Sequence, residues 1–313
     1  MADVVVLGQI GCDVVVHEGQ RRELLGGKGA NQAVALTQLA VPVALVGVVG
    51  DDGAGREVRQ QAAADGIDVG AVVLRRSSRT AVLTDLVGAD GDRRLVEDVP
   101  AETLLTVEDV HAAAGLLAAA RGVSVQLQQP GDAVRAALDL APAHALVVVD
   151  GAPADERTRT ALLARAHVVR ADAREAALLV GRELDGVDDA RAAAAELLSA
   201  GPRLVSLATG PAGDLVAWRA GPPLGSAGEG GAGPRWTDGE VLVPLLGDDP
   251  VDPTGAGDAS VAALTTALLR GEGPEDAAWA AGAAAALTVG HAGGRPRLTP
   301  DRVSEQARRG RAG

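Results

Sequence analysis

Residues 251–260 read VDPTGAGDAS and run on into VAALTTALLRG, residues 261–271. Val261, Leu264, Leu268 and Leu269 recur at i, i+3, i+7 and i+8, which marks one apolar face of a helix that opens near Asp258 and stops at Gly271. A helix that begins directly after Gly255-Ala256-Gly257 turns its first free N–H groups, backed by the positive end of its dipole, toward whatever occupies the turn. Such a corner suits phosphate. Asp258 puts a carboxylate into the same corner, which is costly unless the charge has a task. An acid beside a phosphate cradle can accept the proton of an attacking hydroxyl, the general-base role in phosphoryl transfer. The same residue also suits a plain helix cap, because Asp is favoured there.

A second glycine turn lies near the start of the chain, in Leu25-GGKGANQAVALTQLA. Gly26, Gly27 and Gly29 precede a helix whose Ala33, Leu36 and Ala40 share a face. The spacing matches neither a Walker A loop nor the G-x-G-x-x-G of a dinucleotide fold. Lys28 and Asn31 at such a helix start can hold a polyhydroxylated ligand through backbone and side-chain donors. Ahead of it, Val4–Leu7 reads as a buried strand with Asp13 beyond its C-terminal end, the place where open α/β sheets bind ligands. A turn carboxylate is the other reading of Asp13.

Between these turns, strand and helix patterns alternate. Val43-ALVGVVG, Val123-SVQLQQP, Ala145-LVVVD, His167-VVRAD and Arg203-LVSLATG read as buried strands. Helices are expected over Gly53–Gly66, from Val107 to about Ala120, and from Asp132, Asp172 and Asp188. The alternation implies a parallel, doubly wound sheet. Residues 80–99 alternate instead around Ala89-Asp-Gly-Asp, a hairpin signal that suggests a flap beside the sheet. Residues 221–239 form a Gly/Pro-rich loop, Ala277–Val289 the last long helix, and Ser304–Gly313 an expected frayed tail.

Composition narrows the function. The 313 residues carry 42 acidic against 29 basic side chains, a net charge of −13 that repels nucleic acid and anionic membrane surfaces. A single cysteine, Cys12, excludes an internal disulfide and a cysteine metal cluster, as expected of a cytoplasmic protein. The N-terminal apolar run lacks a basic flank and reads as a strand, and residues 277–289 are too short to span a bilayer. There is no Phe or Tyr, so Ala, Val and Leu must fill the core, and only Trp218, Trp236 and Trp279 could stack on a base.

Taken together and in this order, GGKGANQAVAL and DPTGAGDAS resemble the two signatures of the PfkB carbohydrate kinases, the first being especially similar to that of ribokinases. The resemblance covers nearly the whole chain. It implies a ribokinase-like α/β/α sandwich with a mainly parallel doubly wound sheet, as one domain with a small β lid from about residues 14–25 and 72–99. It also implies transfer of the γ-phosphoryl of MgATP to a small sugar, with ribose leading. Asp258 then resembles the catalytic base, and Gly255, Ala256 and Gly257 the anion hole. Asp13, Gly26, Gly27, Lys28 and Asn31 match sugar-binding positions, and Gln128 stands where ribokinases have a sugar-binding Glu. Gly210 and Gly213 match the nucleotide-binding Gly loop. Glu175 matches the acidic end of an N-x-x-E motif that organises Mg²⁺ through water, with Asp172 in place of the Asn. Asp252 and Thr254 resemble the pair at a monovalent-cation site, which implies K⁺.

Other departures bear on substrate and assembly. Ala208 replaces a Thr before the Gly loop. Only 13 residues separate Asp13 from Gly27, fewer than in ribokinases, so one lid hairpin is short and both homodimerisation through the lid and ribose specificity carry over less directly. A nucleoside kinase of the same fold and a non-catalytic sugar sensor are the competing readings.

Overall fold

The first strand is buried throughout, its side chains entering two cores in turn, and this sets the layers of the molecule. In the computed structural model, which describes residues 2–17, 20–87, 93–225, 235–247, 251–252, 254–291 and 296–312, the chain starts with β1 (Val4–Leu7). Val4 and Val6 enter one apolar core and Val5 and Leu7 the other, so both faces of this strand are covered. The chain continues through β2 (Gly11–His17), β3 (Gln20–Gly26), α1 (Lys28–Gln38), β4 (Val43–Gly50), α2 (Gly53–Ala64) and β5 (Val72–Arg75). Next come β6 (Ala81–Val87), β7 (Arg93–Asp98), α3 (Val107–Ala112), α4 (Ala114–Ala119), β8 (Gly122–Gln126), α5 (Gly131–Leu140) and β9 (Leu146–Asp150). Then follow α6 (Glu156–Arg165), β10 (Val168–Ala171), α7 (Ala173–Val180), α8 (Val187–Ala200), β11 (Leu204–Ala208), β12 (Asp214–Trp218) and β13 (Gly239–Val243). The last helices are α9 (Ala256–Leu269), α10 (Pro274–Val289) and α11 (Pro300–Ala312).

The nine-stranded sheet has the order β13-β12-β11-β10-β9-β8-β1-β4-β5 and is parallel except where β12 pairs with β11 and β13. From β1 the chain moves outward to β4 and β5 on one side, then returns to build β8 to β11 on the other. Helices α1, α9 and α10 cover one face, and α3 to α8 the other. A separate four-stranded sheet, β3-β2-β6-β7, is the lid-like element. β5 pairs in parallel with β4 in the main sheet, so the second sheet takes up the chain again only at Ala81. The expected hairpin joins β6 to β7; its turn and most of the Gly/Pro-rich loop lie outside the described residues.

Two expectations need correction. The helix expected over residues 107–120 is two short helices, α3 with a Thr106–Asp109 capping box and α4 after a break at Ala113. The tail is not frayed: residues 300–312 are helical, with Val303 buried and Arg311 donating to Asp276 at 2.6 Å while lying over the Trp279 ring. The arginines that make this tail look solvated sit in the last turn of the helix, where cations meet the negative end of its dipole.

The first turn of α1 rests directly on the end of β1. A Cβ at Gly29 would lie 2.6 Å from the backbone carbon of Gly8, and one at Gly8 would lie 2.8 Å from the Gly29 Cα. Gly29→Ala must push α1 off the sheet, and we expect a loss of about 1–3 kcal/mol, the usual cost of overpacking. Chemical denaturation measures it; a loss under about 0.5 kcal/mol would mean that helix and strand separate freely.

Candidate active site

The C-terminal ends of β1, β8, β9 and β10 meet the N-termini of α1 and α9 beside the point where the strand order reverses. That is where ligands sit in open α/β sheets. Gly255 takes a left-handed conformation at φ 75° and serves as N-cap of α9, so the helix opens at Ala256, two residues before the expected start. Gly27 does the same for α1 at φ 89°, with no room for a Cβ beside the Gln9 carbonyl.

Asp258 sits in the first turn of α9 and is only 6% exposed. Its Oδ2 accepts a hydrogen bond from Asn31 Nδ2 at 3.2 Å, and its Oδ1 one from Gln32 Nε2 at 3.3 Å. Burial and the neighbouring Asp150 push its pKa up to about 7, against the pull of Lys28, Asn31 and Arg170. A carboxyl poised there can take up a proton near neutral pH.

Asp150, at the end of β9, is fully buried; its Oδ2 accepts from Gln32 Nε2 at 2.9 Å and its Oδ1 from Arg170 Nη1 at 3.1 Å. Gln32 Oε1 in turn accepts from Ser124 Oγ at 3.0 Å. Lys28 Nζ donates to Glu175 Oε1 at 2.7 Å. Burial opposes the charge of Lys28, but Asp150 and Glu175 outweigh it and raise its pKa. Glu175 and Asp172 form a reciprocal capping box on α7, at 2.8 and 2.9 Å. That role needs only an acceptor at position 172, so Asp fulfils it as Asn would.

A cavity of about 650 Å³ opens beside Ala256 and Gly257. Arg170, Asp214 and Ser260 line it on one side, and Val243–Gly247, Gly282, Ala285, Ala286 and Val289 on the other. Burial pushes the Asp214 pKa up, partly offset by Arg170. Of the expected nucleotide residues, none of Asp172, Gly210 and Gly213 lines the cavity, although Gly213 abuts Val243 and Pro244, which do. None of the tryptophans does either: Trp218 and Trp236 are buried in the core, and Trp279 packs under Arg311.

At the start of α1, Gly26 is required by Asp13, whose Oδ1 would lie 1.9 Å from a Cβ there. Asp13, Lys28 and Asn31 are part-exposed, and Gln128 is exposed beyond the end of β8. Asp252 is buried, its Oδ1 accepts from the Thr254 N–H at 2.9 Å, and its own N–H donates to the Val289 carbonyl. Among the described residues no group of three or more His, Cys, Asp or Glu is arranged to hold a metal, and no helix is long and apolar enough to cross a membrane. Sequence reasoning missed Gln32, Ser124, Asp150 and Arg170. Asp150 had a usable signal, a lone acid at the carboxyl end of a strand, the same that singled out Asp13.

The description pfkB family carbohydrate kinase matches residues 1–301. The chain belongs to the pfkB family, and it is a ribokinase-like carbohydrate kinase, a phosphotransferase with an alcohol group as acceptor. It is 29% identical over 314 residues to the ribokinase of Schizosaccharomyces pombe, covering 92% of each chain. It is also 29% identical over 326 residues to the ribokinase of Bacillus subtilis, covering 95% of this chain and 97% of the other. The structure of Arabidopsis thaliana ribokinase complexed with ribose and ATP matches the fold with a TM-score of 0.76 at 22% identity, over 98% of both chains.

The raised pKa of Asp258 carries a stability consequence. An acid whose folded pKa lies above its unfolded value contributes stability that is complete below about pH 3.8 and lost as pH rises through about 7. Asp258→Asn removes this dependence. The variant should therefore gain on the parent by about 1–3 kcal/mol between pH 5 and pH 8.5 in chemical denaturation. A constant gap between the two proteins across that range would contradict the raised pKa.

Proposed function

We propose that the chain is an ATP-dependent ribokinase in which Asp258 is the general base. The observation that carries this reading is a buried carboxyl poised near neutrality at the N-terminus of α9, between the donors Asn31 and Lys28 on one side and the cavity on the other. A primary hydroxyl held by Asp13, Lys28, Asn31 and the Gly26-Gly27 backbone gives its proton to Asp258 as its oxygen attacks the γ-phosphorus, and ADP leaves. The amides of Gly255–Gly257 and the helix dipole stabilise charge developing on the phosphoryl oxygens. The aliphatic cavity beside them suits the nucleotide, with Gly213 packed behind its lining residues Val243 and Pro244.

Metal fit rests on the donors present. Glu175, with its cap at Asp172, would hold Mg²⁺ through water, and that ion would offset the charge of the phosphates. Asp252 and Thr254 supply hard oxygens for K⁺. No described side-chain cluster suffices alone for either ion, so both would also rely on water, backbone or phosphate oxygens. Homodimerisation through the lid and a cytoplasmic location, in keeping with the single buried thiol of Cys12, belong to the same reading.

Three measurements test it. Asp258→Asn should lower kcat by about 10²–10⁴, the usual worth of a positioned base, and a variant retaining more than half of parental kcat would exclude the assignment. In the parent, kcat/KM should fall as pH drops through about 7, because the base must be ionised; Asn31→Ala removes a donor to the carboxylate and should shift that limb to higher pH. Exchange of Na⁺ for K⁺ at constant ionic strength should raise the rate, and Asp252→Ala should abolish the difference.

The acceptor is a free sugar rather than a nucleoside. Aromatic stacking on a base is worth roughly 1–3 kcal/mol in single-stranded nucleic acids, and this chain has no Phe or Tyr to provide it. Sugar hydroxyls need the polar groups that Asp13, Lys28, Asn31 and Gln128 provide. Ribose should surpass adenosine, cytidine and other nucleosides in kcat/KM; a nucleoside exceeding every sugar tenfold overturns this choice.

A further inference from the structure

Arg170 has no task in the chemistry above, yet it is the most deeply placed cation of the site. It lies on β10 with its side chain 12% exposed. Nη1 donates to Asp150 Oδ1 at 3.1 Å and lies 3.9 Å from Glu175 Oε2. Nη2 makes no hydrogen bond among the described residues, and the side chain lines the cavity together with Ala256, Gly257 and Ser260. The guanidinium passes directly over the first turn of α9: a Cβ at Gly257 would lie 2.8 Å from Nη2 and 3.0 Å from Nη1. The turn itself falls at Gly255; Gly257, inside α9, is required to admit this cation.

Neutralising Asp150 does not account for the arrangement. A buried ion pair recovers little beyond its own desolvation, and two neutral hydrogen-bonding side chains would fill the space at less cost. What Arg adds is a planar fork with N–H groups left over, matched to two oxygens of one phosphate. Those N–H groups face the same space as the free amides of α9.

We propose that Arg170 grips the terminal phosphate of the donor nucleotide, with Asp150 aiming its guanidinium across Gly257. This rests on the kinase reading above. As the bond from the γ-phosphorus to the bridging oxygen of ADP breaks and the bond to the sugar oxygen forms, Arg170 stays protonated and follows the phosphoryl group; the hydroxyl proton goes to Asp258.

The test compares the parent, Arg170→Lys and the double variant Asp150→Asn/Arg170→Met, which removes both charges together so that no buried ion is left alone. Calorimetric titration with inorganic tripolyphosphate and with AMP is run beside steady-state kinetics with ATP. In the double variant, tripolyphosphate binding should weaken at least tenfold, AMP binding should change less than threefold, and kcat should fall at least thirtyfold. Arg170→Lys, which keeps the charge and loses the fork, should fall between the two in both respects. The proposal is overturned if the double variant stays within threefold of the parent in tripolyphosphate binding and in kcat. If the double variant does not fold, Arg170→Lys decides alone: equality with the parent within twofold overturns it. A parent that does not bind tripolyphosphate overturns it as well. A parent that binds tripolyphosphate but phosphorylates no sugar would instead refute the choice of acceptor, and the comparison of variants would still decide the role of Arg170.

Discussion

One side-chain amide ties the site together. Gln32 Nε2 lies within hydrogen-bonding distance of Asp150 at 2.9 Å and Asp258 at 3.3 Å, while its Oε1 accepts from Ser124. Through it α1, α9 and the adjacent strands β8 and β9 share one buried network. Two carboxylates within reach of a single nitrogen cannot both be ionised cheaply. Asp150 holds the guanidinium of Arg170, and burial together with the charge of Asp150 raises the pKa of Asp258 to about 7. The poise of the proposed base is thus a consequence of where the acid next to it is placed, and not only of burial.

Holding that network requires α1 and α9 to come very close to the sheet. Gly8 and Gly29 allow it at β1, and Gly257 allows it beneath Arg170. The absence of Phe and Tyr serves the same end: α9 is buried from Asp258 to Leu269, and Ala-rich α10 packs beside it with small side chains. Thr265 and Thr266 return their hydroxyls to carbonyls four residues earlier, so polar residues remain inside α9 without outside partners.

The features legible in the sequence are those written locally. Glycine turns followed by apolar periodicity located α1 and α9, and buried runs located the parallel strands. β12 was not anticipated: LVAW follows the GPAG turn too closely for the βα rhythm, and its antiparallel pairing with β11 depends on that tight connection. α11 was misjudged because its arginines find Asp276 and Trp279 only after α10 is in place. The same holds within the site. Asp13, Lys28, Asn31 and Asp258 flank glycine turns and stand out, whereas Gln32 and Arg170 sit in the middle of a helix pattern and a strand pattern, and their partners are more than a hundred and about twenty residues away, respectively.

The charge distribution gives the site its character. A chain of net charge −13 repels an anion at long range, so binding of a polyphosphate must rest on local groups. Among the described residues two cations reach the site, and both are engaged: Lys28 with Glu175 and Arg170 with Asp150. Burial raises the pKa of both Asp214 and Asp258 and so opposes the build-up of negative charge beside the cavity. The pocket therefore presents paired charges and free backbone amides rather than a bare acidic surface. In the proposed reaction a phosphate at α9 is met by N–H groups, and only the proton released by the acceptor need be taken up by a carboxylate.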